Sequence, residues 1–241
     1  MATRSRTSLN IFSLLKNLFF PKFCFGCKKI GTYLCVSCAA SLKPIRVDTC
    51  MYCNKTTSNG LTHDECKKEY SLDGGISIFR YESLLQKIIK KIKYGLMYDA
   101  VEDIYRAIPT DTFDKIISFK SLSPNISFIP VPLHRKRKSL RGFNQSEKLF
   151  RHISRRVEIP LQTNIVIRKK YTTPQVEMKS KSDREKNIVD AFFVTKNVSG
   201  NDFIICDDVW TTGTTINELC KELKENGARN IYALTIARVY L

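Results

Sequence analysis

The segment "DFIICDDVWTTGTT", residues 202–215, most restricts what this chain of 241 residues can fold into. An apolar run leads to two adjacent acids, Asp207 and Asp208, and a threonine-rich turn around Gly213 follows at once. The next residues, "INELCKELKENG", carry apolar side chains at helical spacing and end at Gly227. The pattern predicts a buried strand, a glycine turn and a helix, with both acids at the carboxyl end of the strand.

Strand and helix patterns alternate along the chain from about residue 70 onwards. Strands are predicted for "GGISIFRY", "NISFIPVPL", "AFFV" and "NIYALTIARV". Helices are predicted for "FNQSEKLFRHISRRV" and for "SLLQKIIKKIKYGLMYDAVEDIYRAI", where Gly95 would divide two helices. This alternation predicts an α/β domain with a parallel sheet flanked by helices. Ligands of such sheets bind beyond the carboxyl ends of the strands, where Asp207 and Asp208 would lie.

The residues of the predicted glycine turn suit an anion. Backbone N–H groups at the start of a helix, together with the helix dipole, favour negative charge there. Gly213 permits close approach of a ligand, and hydroxyl groups come from Thr211, Thr212, Thr214 and Thr215. The two neighbouring carboxylates suit ribose hydroxyls or a magnesium ion. The segment therefore predicts a sugar-phosphate site, and the alternative is an acidic strand end before a threonine-capped helix.

Seven of the nine cysteines lie between Cys24 and Cys66. Two-residue spacing arranges them in two sets of four candidate ligands: Cys24, Cys27, Cys35 and Cys38, then Cys50, Cys53, His63 and Cys66. Zinc takes four such ligands in a tetrahedron, and a site saturated by protein ligands is structural. His63 is either a ligand or a surface histidine, so one or two zinc ions are expected. Metal ligation rather than a disulfide framework predicts a cytoplasmic protein.

The chain is strongly basic, with a formal net charge of +17. Between Leu133 and Val157 there are nine Arg and Lys residues and one acid, Glu147. Such a run is either a solvated face or a phosphate-binding surface. Because it follows the strand "FIPVPL", we expect Arg135 and Arg141 at the same edge of the sheet as the acids. Arginine binds phosphate oxygens with two parallel hydrogen bonds.

The structure of two further segments can also be predicted. The N-terminal "LNIFSLLKNLFFP" is too short to span a bilayer, so it predicts a short amphipathic helix, with a signal peptide as the alternative, and a protein that is not integral to the membrane. The polar stretch "RKKYTTPQVEMKSKSDREKN" is either a lid over the site or a disordered surface loop. As a lid it would contribute Arg168, Gln175 and Arg184.

The segment "ICDDVWTTGTT" resembles the signature of type I phosphoribosyltransferases. Together with "IPVPLHRKRKSLRGFNQSEKLF", "TTPQ", "REKNIVDAFFV" and "FPKFCFGC", it makes residues 18–239 similar to the ComF family of competence proteins. The resemblance implies binding of phosphoribosyl pyrophosphate with Mg²⁺. Asp207 and Asp208 would hold the ribose and act in catalysis, residues 211–215 would hold the 5′-phosphate, and Arg135 and Arg141 would border the pyrophosphate.

The same resemblance implies an architecture and partners. Residues 1–70 would form a helix and a double zinc ribbon, and residues 71–241 a domain like type I phosphoribosyltransferases. The implied role is pentosyl transfer, or ligand binding without it, in DNA uptake during natural transformation. Implied partners are single-stranded DNA, a competence helicase and other DNA-uptake proteins.

Two alternatives stay open. In one, the zinc ribbons and the basic stretch hold single-stranded DNA and the sugar-phosphate pocket is a relic or a regulatory sensor. Aromatic residues for base stacking are few in this interpretation: Tyr33, Tyr52 and Phe143. The other alternative is salvage of purines or pyrimidines. The acceptor of any transferred group is not indicated.

Overall fold

The computed structural model describes residues 21–94, 97–171 and 188–240. Its helices are α1 (Val36–Ala39), α2 (Ser83–Tyr94), α3 (Ala100–Arg106), α4 (Thr110–Leu122), α5 (Arg135–Arg141), α6 (Gln145–Val157) and α7 (Thr214–Glu225). Its strands are β1 (Gly74–Arg80), β2 (Ser127–Pro130), β3 (Val166–Arg168), β4 (Phe192–Val194), β5 (Phe203–Trp210) and β6 (Ile231–Arg238). Single 3₁₀ turns occupy Ser58–Gly60 and Asp64–Cys66.

Four strands form one parallel sheet in the order β1-β6-β5-β2. Strands β5 and β6 run side by side from the pair Phe203 and Ile231 to the pair Trp210 and Arg238. The predicted parallel sheet with flanking helices is confirmed. The strand predicted in "AFFV" also forms, but it pairs with β3 in a separate antiparallel ribbon. Helices α4 and α5 and strand β3 were not predicted from the sequence pattern.

The sheet separates two hydrophobic cores. Alternate residues of β5 point to opposite faces, so Ile204 belongs to one core and Ile205 to the other. The first core is built with buried residues of α2, α3, α4 and α6, and the second with those of α7, β3 and β4. Because helices or the ribbon cover both faces, the apolar run of β5 is nearly continuous, as is typical of parallel strands.

Residues 21–70, called the N-terminal module below, lie against the edge of the sheet formed by β1. The Ile45 N–H donates to Ile78 O at 2.8 Å, and isolated bridges join Pro44 to Phe79 and Leu61 to Gly74. The module is therefore joined to β1 by backbone hydrogen bonds. The proposed boundary at residue 70, just before β1, stays a prediction.

Several predictions concern residues outside those described. They are the N-terminal amphipathic helix over residues 9–20, the break at Gly95, and the lid residues Gln175 and Arg184. Helices α2 and α3 lie on either side of Gly95. Within the three described stretches, none of the helices has both the length and the apolar character needed to cross a bilayer.

Candidate functional site

A cavity of about 290 Å³ opens at the carboxyl end of β5. From the residues predicted to bind ligand, it brings together Asp207, Asp208, Thr211, Gly213, Thr214, Thr215 and Arg141. Four further cations line it. The sequence did not assign Lys90, Lys93 or Arg137 to ligand binding, and it suggested Arg168 only as part of a lid. The predicted acids, turn and one predicted arginine therefore share one cavity with additional positive charge.

Both acids are held by hydrogen bonds from neighbouring helices. Asp208 is 7% exposed, and its Oδ1 lies 2.8 Å from Lys93 Nζ on α2. Its other oxygen accepts from Gln145 Nε2 at 3.2 Å. Asp207 Oδ1 accepts from Ser146 Oγ at 3.2 Å and from the Asp208 N–H at 2.8 Å. The first turn of α6 and the last turn of α2 thus orient the acidic pair.

The electrostatics of the pair are asymmetric. Burial, with a contribution from the charge of Asp208, raises the pKa of Asp207 to about 7, although Lys93 opposes this shift. Burial disfavours the charged form of Lys93, but the carboxylates of Asp208 and Asp207 outweigh it and raise the pKa of Lys93. The cavity therefore contains a charged Lys93–Asp208 pair and a second carboxyl group that titrates near neutral pH.

Residues 211–215, predicted to bind phosphate and called the phosphate loop below, join β5 to α7. Gly213 has φ 75°, in the left-handed region, and a Cβ at this position would clash with the Trp210 ring. Helix α7 begins directly afterwards and has 12 residues. The Thr212 and Thr214 hydroxyl groups lie 2.7 Å apart, but Thr212 lines a second cavity on the other side of the loop. The loop presents a helix N-terminus to the first cavity.

The two predicted arginines lie in different places. Arg141, at the end of α5, lines the cavity and donates to Gln145 Oε1 at 3.2 Å. Arg135 lies at the other end of α5 and lines a neighbouring cavity with Asn144. Asn144 caps α6 by accepting from the Ser146 and Glu147 N–H groups. The structure thus brings Arg141, but not Arg135, to the acidic pair.

Sequence patterns did not single out several residues of the cavity. Lys90 and Lys93 are three residues apart on α2 and so share one face of the helix, but this spacing alone does not say what the face meets. Arg168, which the sequence suggested only as part of a lid, instead lies on β3 and is 9% exposed, and burial lowers its pKa to about 10. It remains charged at neutral pH. That this residue is buried beside the cavity can be recognised only from the tertiary structure.

The two predicted ligand sets are each assembled in space. In each set all four ligand atoms lie within 4.8 Å of one another. In the second set His63 Nδ1 lies 3.3 Å from Cys53 Sγ, while His63 Nε2 donates to Thr56 O at 3.1 Å. A hydrogen bond from the outer ring nitrogen orients histidine ligands of zinc. Both sets fit structural zinc, and the geometry favours His63 as a ligand over a surface histidine.

Comparison with known proteins agrees with this architecture. Residues 144–239 match the family described as phosphoribosyl transferase domain, and residues 15–67 match the double zinc ribbon domain. The chain is 32% identical over 233 residues to Competence protein F of Haemophilus influenzae, covering 91% of this chain and 98% of that protein. The chain belongs to the ComF family.

Other relatives of this ComF protein have related names. Competence protein ComFC of Bacillus subtilis is 27% identical over 215 residues, which cover 85% of this chain and 84% of that protein. DNA utilization protein YhgH of Escherichia coli K12 is 26% identical over 163 residues, covering 68% of this chain and 71% of that protein. The phosphoribosyl transferase match includes both acids and the phosphate loop, but Lys93 and Arg141 precede it.

Proposed function

We propose that this ComF protein binds phosphoribosyl pyrophosphate with Mg²⁺ in the cavity beside Asp207 and Asp208, and that it acts in DNA uptake. The proposal rests on the arrangement of charged groups in this one cavity. A helix N-terminus and five cations, Lys90, Lys93, Arg137, Arg141 and Arg168, surround two acids in about 290 Å³. This composition suits a ligand that has several phosphate groups and a diol.

Each part of the ligand has residues of matching chemistry. The phosphate loop and the N-terminus of α7 would hold the 5′-phosphate. Asp207 and Asp208 would accept hydrogen bonds from the ribose hydroxyls. Arg137 and Arg141 on α5 would bind the pyrophosphate, together with Arg168. The two carboxylates are hard oxygen ligands that also fit Mg²⁺, which would neutralise pyrophosphate charge when bound.

The same cations would assist phosphoribosyl transfer. Breaking the bond between the anomeric carbon and pyrophosphate leaves negative charge on the departing group, and fixed cations stabilise that charge. Arg168 is nearly buried, so its charge would act with little screening by water. The acceptor would bond to the anomeric carbon in place of pyrophosphate.

The biological part of the proposal comes from the relatives. Two of them are named as competence proteins and a third as a DNA utilization protein. We propose that this chain acts likewise on the cytoplasmic side of DNA uptake, with single-stranded DNA, a competence helicase and other DNA-uptake proteins as partners.

Calorimetry with Mg²⁺ and phosphoribosyl pyrophosphate tests the site. Fluorescence of Trp210, the single tryptophan, provides a second signal because its ring packs under Gly213. We expect saturable binding that disappears in the Asp207→Asn/Asp208→Asn double variant. The matched control is Asp111→Asn/Asp114→Asn, which removes the same charge from two exposed positions of α4. Equal affinity of the two double variants would refute the site.

A second function, binding of single-stranded DNA, is favoured by a surface that the sequence did not reveal. Three exposed aromatic rings each have a cation over them: Tyr94 with Arg141 at 5.5 Å, Tyr171 with Lys136 at 5.4 Å, and Tyr98 with Lys148. Aromatic rings beside cations bind single strands through base stacking and phosphate contacts. Each of the three rings therefore lies beside a basic residue of α5 or α6.

Fluorescence anisotropy with a labelled oligothymidine tests this surface. We expect affinity to fall steeply with salt and to fall about tenfold in Tyr171→Ala, because stacking contributes roughly 1–3 kcal/mol per base. The control is Leu122→Ala, which removes an exposed apolar side chain at the end of α4. Equal affinities for the two variants would exclude stacking on Tyr171.

A further inference from the structure

The second zinc knuckle, residues 50–53, contacts the residues on both sides of the phosphate loop. Tyr52 lies between the ligands Cys50 and Cys53, and its ring meets Trp210 edge-on with 6.3 Å between ring centroids. The Tyr52 hydroxyl donates to Asn217 Oδ1 at 3.0 Å, and it accepts from the Leu72 N–H at 2.9 Å. Tyr52 therefore touches the residue before the phosphate loop and the first turn of the helix after it.

Trp210 connects Tyr52 to the phosphate loop. Its ring is 5% exposed and lies so close to Gly213 that no side chain fits between them. The Asn217 N–H donates to Gly213 O at 2.8 Å, so Trp210 and Asn217, which both contact Tyr52, also both contact Gly213. A displacement of Tyr52 would therefore displace Trp210 and Asn217, the residues that contact the loop at its two ends.

Arg238 joins the same knuckle to the sheet. This arginine is 3% exposed, and its Nη2 donates to Cys50 O at 3.0 Å and to Met51 O at 2.9 Å. It is paired in register with Trp210 on the neighbouring strand. The Val239 N–H, one residue later, donates to Trp210 O at 2.9 Å. The knuckle backbone and Trp210 are thus held by adjacent residues at the end of β6.

The first ligand set has a different environment. Its neighbours Phe25 and Tyr33 pack against the core on the opposite face of the sheet, whereas Met51 and Tyr52 belong with Trp210 and α7. The N–H groups of Tyr33 and Leu34 donate to Asp103 Oδ2 on α3. The first set is therefore anchored to α3, on the opposite face of the sheet from α7.

We infer that zinc in the second set, acting through Tyr52 and Arg238, holds the phosphate loop in its binding conformation, and that zinc in the first set does not. The metal fixes residues 50–53, since two of them are ligands. Tyr52 is then a positioning residue for the loop. The part of this inference that concerns affinity rests on the proposed sugar-phosphate site; the link to Trp210 does not.

The matched pair Cys53→Ser and Cys27→Ser tests the inference in the full chain. Each variant removes one thiolate from one set, and elemental analysis gives zinc per chain. We expect each to lose one zinc ion, but only Cys53→Ser to shift the Trp210 emission. We also expect only Cys53→Ser to weaken binding of Mg²⁺ and phosphoribosyl pyrophosphate, by about tenfold or more, because small misplacements of binding groups are costly.

Tyr52→Phe tests the same link without disturbing the metal. It keeps the ring and loses the hydroxyl hydrogen bonds with Asn217 and Leu72, so we expect about fivefold weaker binding at unchanged zinc content. Identical Trp210 emission in Cys53→Ser and Cys27→Ser would overturn the inference. If the wild-type chain bound no phosphoribosyl pyrophosphate, the proposed site would fail, and a shift of Trp210 emission confined to Cys53→Ser would still support the coupling.

Discussion

Lys93 Nζ lies 2.8 Å from Asp208 Oδ1, with 22% and 10% of the two side chains exposed. The pair joins the last turn of α2 to the end of β5 and neutralises one acid of the cavity. A ligand that engages Asp208 through a diol or Mg²⁺ must share this carboxylate with Lys93. The lysine therefore belongs to the site, although it lies far from the acids in sequence.

Replacing this lysine should weaken the site. In Lys93→Met, Asp208 loses its cation and the charge that opposes the raised pKa of Asp207 disappears. We expect at least about tenfold weaker binding of Mg²⁺ and phosphoribosyl pyrophosphate at pH 7, measured by calorimetry, since an unpaired buried charge costs several kcal/mol. Lys91→Met, at an exposed position of the same helix, is the control. Similar affinities in the two variants would contradict the prediction.

Binding should depend on pH because of Asp207. Its pKa of about 7 means that the carboxyl group is mostly protonated at pH 6 and mostly ionised at pH 8. Only the ionised form can ligate Mg²⁺ or accept from both ribose hydroxyls, so affinity should fall about tenfold per pH unit below 7. Fluorescence titrations between about pH 5.5 and 8.5 measure this. The residual binding of Asp207→Asn should show a flatter profile.

The same group should lower folding stability at high pH. Its pKa is 3.8 in a model compound and about 7 in the folded chain, so between these values the folded state holds the extra proton. The contribution of Asp207 to stability therefore falls as pH rises from about 4 to 7. We expect Asp207→Asn to raise the free energy of unfolding by about 1–3 kcal/mol at pH 8 and to change it little at pH 4. Urea unfolding at both pH values would decide this, and a destabilised variant at pH 8 would refute it.

The contribution of Asp202 to folding stability should depend on pH in the opposite direction. Burial opposes its charge, but Arg229, Ser123 and the Asn230 N–H donate to it and lower its pKa to about 2. A depressed pKa contributes stability that is present above about pH 4 and lost as pH falls toward 2. Replacement by Asn should cost about 2 kcal/mol at pH 7. Asp64→Asn, an exposed control, should be nearly neutral in the same urea unfolding experiment.

Substitution by alanine should be far more destabilising at Gly213 than at Gly200, a glycine of similar backbone conformation. Gly213 and Gly200 have φ of 75° and 72°, but an added Cβ meets the Trp210 ring only at Gly213 and finds open space at Gly200. We expect Gly200→Ala to cost about 1 kcal/mol for strain in the left-handed region. Gly213→Ala should cost about 1–3 kcal/mol more and shift Trp210 emission. Equal melting temperatures and spectra would show that the close contact is unimportant.

Short-range patterns account for what the sequence predicted correctly. The strand, acids and phosphate loop are contiguous, so their order alone predicts where the acids lie relative to α7. The knuckle ligands are two residues apart, so each pair can be recognised without knowing the fold. The short helix α5 was missed because a basic run without an apolar stripe resembles a solvated loop.

The α/β order, the position of Asp207 and Asp208 at a strand end and the pairing of ligands within each knuckle can all be predicted from the sequence. The folded structure is needed to show that Lys93 pairs with Asp208, that Arg141 rather than Arg135 reaches the cavity, and that Tyr52 contacts Trp210. These contacts depend on which face each helix or turn presents after packing. That choice is made by the burial of whole apolar faces in the two cores, which no short segment encodes.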